Sequence, residues 1–288
     1  MFIHSAHYSP GNSYLIDNLK ENKYLFNYHY YGDHLSNRDR FALIKHLYDG
    51  SEVILFSCEA QEHSWRYSRL SRGAKAYFTH LDKKNSIYYN LFFEEALTSN
   101  FFYNSSYPRS LIKKSGTVLI SSNNLKIMRF KSKYEEIFAQ ADLYGLLSKN
   151  VPINPSNNYY FAAQNLSEGY AAAICLDNSF EIGYFQGSPM MHLHAGTVPI
   201  YHGPNYWKNF INKDYIIELD TYAKLNSNQR VEAIKRVSEK IENAKGVFFT
   251  DLTIDYLGFL MSSISAEKID FNNMITKSNE YRSKFLKG

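Results

Sequence analysis

The chain has 288 residues, 44% hydrophobic and 16% aromatic, with 25 Tyr and 20 Phe. That is enough apolar material for ordered cores and excludes a disordered chain, and the length fits one large domain or two moderate ones. The 32 basic and 28 acidic residues are interleaved and leave a formal charge of +4, without the concentrated basic stripe of a nucleic-acid binder.

Cys58 and Cys175 each sit in an apolar, strand-like run. They read as small buried hydrophobes in a reducing compartment, not as a disulfide framework. The opening Met1, Phe2, Ile3, His4 and Ser5 form neither a basic leader nor an apolar signal segment. The longest uncharged stretch, 182–207, is broken by Gly, Pro, Gln, Ser and His, so it is no bilayer span. The expectation is a cytoplasmic protein, with peripheral contact at the inner membrane left open.

In chain order, β-rich runs predict strands at 23–30, 52–57, 75–79, 117–121, 170–176, 197–201 and 215–219. Ser132 and Glu135 have capping-box spacing, which predicts a helix through about Ala141 with Gly145 at its exit. Ser188 as N-cap and Pro189 as first helical residue predict a short helix ending near Ala195, with Gly196 left-handed. Val231, Ile234, Val237, Ile241 and Ala244 form a one-sided stripe, which predicts an amphipathic helix over 226–245.

Strands alternating with helices imply an α/β fold with parallel sheets covered on both faces. The segment 107–116, with Pro108, is the candidate linker. It divides the chain into an N-terminal domain (1–110), a C-terminal domain (111–246) and a helical tail (247–288).

The stretch 175–204 carries the most chemistry. A glycine-containing loop entering a helix presents free amides and the positive end of a dipole to a nucleotide diphosphate. The dipole contributes only about 0.3 to 1 kcal/mol when exposed, so side-chain cations must assist. Asp177-Asn178-Ser179, Gly183-Tyr184 and Ala195-Gly196-Thr197-Val198-Pro199-Ile200 with Gly203 stand at set spacings. In this pattern the chain resembles the inverting α-1,3-fucosyltransferases, where the region reads Glu-Asn-Ser, a short gap, Gly-Tyr-x-Thr-Glu-Lys, a helix, then Ala-Gly-x-Val-Pro-Ile-x-x-Gly. Ser121 to Asn124, Arg129 and Ala141 to Gly145 extend the resemblance upstream, to about half the chain.

The resemblance implies two Rossmann-like domains facing a cleft (GT-B type) and inverting transfer of fucose or a related sugar in surface glycan synthesis. GDP-fucose is the first donor to consider, entering as substrate with no further cofactor and no metal. The acceptor would be a carbohydrate or glycolipid. The donor side would draw on Arg129, Asp177, Asn178, Tyr184, Gln186, Gly187 and Ser188. One departure stands out: Gln186-Gly187-Ser188 replaces Thr-Glu-Lys, so the acidic contact and the diphosphate-facing ammonium are missing. Arg129 is the first replacement cation, since a guanidinium grips a diphosphate bidentately, and Lys126 is the second.

Inverting transfer needs a carboxylate to take the acceptor proton. The resemblance puts it in an N-terminal loop matching Thr79-His80-Leu81-Asp82, where Leu81 stands opposite the expected glutamate and Asp82 follows. Glu59 and Glu62, after the strand ending at Ser57, compete, and His63 or His80 would assist. His192 and His194 are two apart and face different ways on a helix, and no Asp-x-Asp motif occurs, so metal-independent chemistry is expected. The alternatives are a non-catalytic carbohydrate- or nucleotide-binding protein and a sugar-phosphate enzyme on the same scaffold.

Overall fold

The computed structural model describes residues 2–4, 14–22, 29–31, 37–57, 71–98, 116–121, 130, 132–145, 166–177, 179–244 and 247–287. Strands β1 (Phe2–His4), β2 (His29–Tyr31), β3 (Val53–Ser57), β4 (Ala76–Thr79) and β5 (Ser86–Tyr88) form one sheet in chain order. A second sheet joins β6 (Thr117–Ser121), β7 (Ala141–Gly145), β8 (Ala172–Leu176), β9 (Val198–His202) and β10 (Ile217–Glu218) in the order β10-β9-β8-β6-β7. Neighbours in both sheets run parallel, as the alternation of strands and helices requires.

Parallel strands are buried on both faces, which is why β3 can read Val-Ile-Leu-Phe-Ser and be buried throughout. The period of two splits its side chains. Ile54 and Phe56 join Ala76, Phe78 and the main core, whereas Val53, Leu55 and Tyr77 pack with Leu43 of the helix Asn37–Tyr48. That helix is α2, and α1 is Tyr14–Glu21, whose Leu15, Ile16 and Leu19 enter the main core.

In the second sheet the chain starts at β6, adds β7 on one side, then returns to place β8 on the other. The order therefore reverses between β6 and β8. Open α/β sheets bind ligands outside the carboxyl ends of the strands at such a switch point.

The remaining helices are α3 (Leu91–Thr98), α4 (Glu135–Ala139), α5 (Ser188–His194), α6 (Leu219–Ala223), α7 (Ser227–Asn243), α8 (Asp251–Ile264) and α9 (Phe271–Phe285). Among the described residues none is long and apolar enough to cross a membrane. α7 starts in a reciprocal box: Asn226 accepts from the Gln229 amide and Gln229 from the Asn226 amide, each at 3.0 Å. Its stripe is offset from the expected one. Val237 and Ile241 are buried, but Val231 is 67% exposed. The inward place goes to Arg230, held by Glu136 at 2.7 Å and the Tyr222 carbonyl at 3.3 Å.

The capping box expected at Ser132 does not form. Tyr134 is the N-cap of α4, with no side-chain cap bond, and the helix ends at Ala139. Residues 141–145 instead pair with β6 from Thr117↔Ala141 to Ser121↔Gly145, so Gly145 closes a strand. Six of the seven predicted strands are present, and of the first, 23–30, only 29 and 30 lie among the described residues, both in β2. The strands β1, β5 and β7 were not predicted. The candidate linker lies outside the described residues except for Gly116.

Helices α8 and α9 return to the first sheet. Tyr88 lies on its edge strand β5, where an unpaired amide and carbonyl would otherwise remain. The Tyr88 amide donates to Ser278 Oγ of α9, and its carbonyl accepts from the Tyr256 hydroxyl of α8. The Tyr88 and Phe93 rings meet Tyr256 and Phe285, and Phe285 stacks on Phe210 at 4.5 Å. Aromatic content thus joins the last helices to both ends of the core.

Replacing Asn226 by Ala should lower stability by about 1 kcal/mol through loss of the α7 cap. Val231→Lys, on the exposed side, should stay within about 0.5 kcal/mol of wild type. Urea midpoints at unchanged m-value would measure both.

Candidate functional site

The loop between β8 and α5 meets the first sheet at Gly183. This residue has φ 88°, and a Cβ there would lie 2.8 Å from the His80 carbonyl oxygen, so only glycine fits without displacement. The Gly183 carbonyl accepts from the Tyr88 hydroxyl at 3.0 Å and the Asn90 amide at 3.2 Å. Tyr184 is fully buried with its ring edge-on to His80, centroids 5.4 Å apart. Further on, the Phe92 amide donates to the Phe185 carbonyl at 3.2 Å.

His80 follows β4 and is fully buried. Its Nε2 lies 3.1 Å from Glu181 Oε2, a partner 101 residues away. The sequence pattern passes over Glu181, which falls in the gap between Asp177-Asn178-Ser179 and Gly183-Tyr184. The Glu181 main chain is also held: its amide donates to Ser179 Oγ at 3.2 Å and its carbonyl accepts from the Tyr206 hydroxyl at 2.6 Å. Phe180 and Ile182 on either side are 44% and 70% exposed.

Asp177 begins the loop and is buried, its Oδ2 accepting from the Tyr201 hydroxyl at 2.6 Å. Burial, then the Asp177 carboxylate, pushes the Tyr201 phenol well above its ordinary range. A Cβ on Gly203 would overlap the Tyr201 hydroxyl, which gives this glycine a physical reason to follow the strand.

At α5 the expected start is displaced by one residue. Gly187, at φ 76°, is the N-cap, and Ser188 and Pro189 are the first two helical residues. Gly196 takes the expected left-handed conformation, φ 65°. Gln186 and Ser188 are half-buried and Gly187 is buried. A Cβ on Gly187 would lie 3.0 Å from Glu95 Oε2 and 3.1 Å from the Phe92 α-carbon, so the amino end of α5 packs against α3.

His192 and His194 serve the interior. The His192 ring pairs with Ser167 Oγ at 2.7 Å, and His194 lies edge-on to Phe248. Among the described residues no group of three or more His, Cys, Asp or Glu side chains is placed to hold a metal ion.

A second polar cluster stands at the end of β9. His202 is ringed by Phe130, Tyr134 and Phe180, with centroids 4.8, 5.7 and 5.4 Å away. Its Nδ1 is 3.6 Å from Asp220, which also binds Lys133 and the Tyr134 hydroxyl, each at 2.7 Å. The Lys133 ammonium, then the Tyr134 hydroxyl, hold the Asp220 carboxyl below its usual range. Sequence reading singled out neither His202 nor Asp220.

Asp82 is 77% exposed on its side chain and pairs with Arg282 of α9 at 2.8 Å. Glu59, Glu62, His63, Lys126, Arg129 and Asn178 lie outside the described residues.

No protein-family model matches the chain, and no curated protein sequence does. Among solved structures it is similar to a crystal structure of α1,3-fucosyltransferase, with TM-score 0.52 and 12% identity, covering 100% of this chain and 90% of that one. A crystal structure of α1,3-fucosyltransferase with GDP gives TM-score 0.50 and 13% identity at the same coverage. The likeness is one of fold. It matches the α/β architecture of parallel sheets expected from the sequence.

Burial pushes His192 down to about 3 and His194 well below the usual histidine range. Unfolded, both titrate near pH 6.5. Below that pH the unfolded chain binds more protons, so stability present at neutral pH should be lost as pH falls towards about 3 for His192. The loss should reach about 1.4 kcal/mol per pH unit per histidine. Urea midpoints between pH 7.5 and 5 measure it, and His192→Asn should reduce the slope.

Proposed function

We propose that the chain is an inverting glycosyltransferase that moves fucose or a related sugar from a nucleotide donor to a carbohydrate or glycolipid acceptor in surface glycan synthesis. One observation carries this reading: the donor-side candidates fall in the two segments that follow β6 and β8, the strands flanking the switch point. Arg129 follows β6, and Asp177, Asn178, Tyr184, Gln186, Gly187 and Ser188 follow β8. The fold likeness supports the same assignment, and a neighbour with GDP makes a guanosine nucleotide the first to test.

In this reading residues 111–246 hold the donor, 1–110 the acceptor, and the tail from 247 supports the first sheet. Arg129 grips the diphosphate while Asn178 and Gln186 offer amides to the sugar. Buried Asp177, Tyr184 and Gly187 shape the loop. A carboxylate takes the acceptor proton as the nucleoside diphosphate departs; the sequence candidates for it are Asp82, Glu59 and Glu62. The reaction would take place on the cytoplasmic side, at the inner membrane when the acceptor is a glycolipid.

One observation favours the alternative of a non-catalytic nucleotide- or carbohydrate-binding protein. The Glu95 carboxyl stands beside Gly187, where a negative charge opposes an incoming phosphate at the amino end of α5. Binding of nucleotide without transfer would support it.

A thermal-shift panel of GDP, UDP, CDP, dTDP and their common sugars tests the donor, because ligand binding to the native state raises apparent stability. GDP and GDP-fucose should raise the transition temperature. Arg129→Ala should weaken that binding by about 1.5 to 3 kcal/mol, the magnitude of a charged hydrogen bond. No shift with any nucleotide would remove the donor site from this reading.

A further inference from the structure

We propose that Glu181 is the catalytic carboxylate that takes the acceptor proton, and that His80 is its positioning residue; this rests on the transferase reading above. A general base must reach the substrate, keep one orientation and stand where donor and acceptor meet. Glu181 meets the first requirement with a side chain 26% exposed. His80 meets the second, because its fully buried ring fixes Glu181 Oε2 at 3.1 Å.

The third requirement follows from topology. Glu181 lies on the loop leaving β8 beside the switch point, and His80 follows β4 of the other sheet. Their pairing therefore joins the carboxyl ends of both sheets. The Gly183 carbonyl, held by Tyr88 and Asn90, prevents the loop from drifting away from His80.

His80 Nδ1 is buried and has no hydrogen-bond partner among the described residues. The tautomer with its proton on Nε2 satisfies the pair, donating to the Glu181 carboxylate. Asp82 has a different setting: it is 77% exposed and tied to Arg282 on α9.

In the step assigned to Glu181, the acceptor hydroxyl oxygen forms a bond to the anomeric carbon of the donor. The bond from that carbon to the nucleoside diphosphate breaks, its electron pair leaves with the diphosphate, and the hydroxyl proton passes to Glu181. His80 stays hydrogen-bonded to the carboxylate and takes no part in bond making.

The test uses the full chain, following GDP release from GDP-fucose in the presence of an oligosaccharide acceptor panel. Glu181→Gln should lower kcat by at least about 100-fold with GDP affinity unchanged, and Glu181→Asp should restore part of it. His80→Leu should lower kcat without raising KM, whereas His80→Gln, which retains a donor, should rescue it. Because Glu181 is partly exposed, its variants remain informative if His80→Leu does not fold. Wild-type kcat in Glu181→Gln overturns the assignment. Wild-type protein that binds GDP but never transfers overturns the transferase reading itself, a failure visible before any variant is made.

Discussion

At Gly183 the loop that follows β8 of the second sheet comes close to the backbone of the first sheet. The contact combines two demands that only this residue meets: a left-handed φ and the close approach of the His80 carbonyl. Its own carbonyl then takes hydrogen bonds from Tyr88 and Asn90. Everything around the candidate site depends on that contact. It sets how far Glu181 stands from His80, packs Tyr184 against the same imidazole, and delivers Phe185 to Phe92 at the start of α3. The two halves are therefore joined through main-chain groups as well as through apolar surface.

Much of the architecture was legible because buried parallel strands are short apolar runs bounded by turn residues. β3, β4, β6, β8 and β9 all show this pattern. β1 and β5 have three residues each, too few to show a period. β7 was hidden by a local signal that lost to a tertiary one. Ser132 and Glu135 have the spacing of a cap, yet the helix ends at Ala139 and 141–145 pair with β6, a long-range partner that local spacing does not show. Arg230 in place of Val231 on the inner side of α7 has the same origin, since a partner on α4 and the carbonyls of α6 make a buried guanidinium tolerable.

The site was legible in part. Glycines and prolines between 183 and 204 marked a loop, a helix and a strand in the right order, because those residues answer to local backbone geometry. Contacts across the fold leave no such mark. His80 is a lone histidine in sequence, and Glu181 sits in the unpatterned gap of the motif; only the docking of one sheet on the other makes them a pair. Likewise Asp82 carries the right chemistry beside the right strand, but its charge is met by Arg282, two hundred residues later. The cluster of His202, Asp220, Lys133 and Tyr134 draws on three separate segments and has no sequence spacing to betray it.

The hydrogen bonds at Tyr88 have a consequence for biosynthesis. β5 is an edge strand whose amide and carbonyl are satisfied by Ser278 and Tyr256. The ribosome makes these side chains long after the strand itself. Until α8 and α9 emerge, the nascent first sheet carries an open, aromatic-rich edge of the kind that pairs with other chains. The order of synthesis thus leaves this edge uncovered until the two helices that satisfy it have been made.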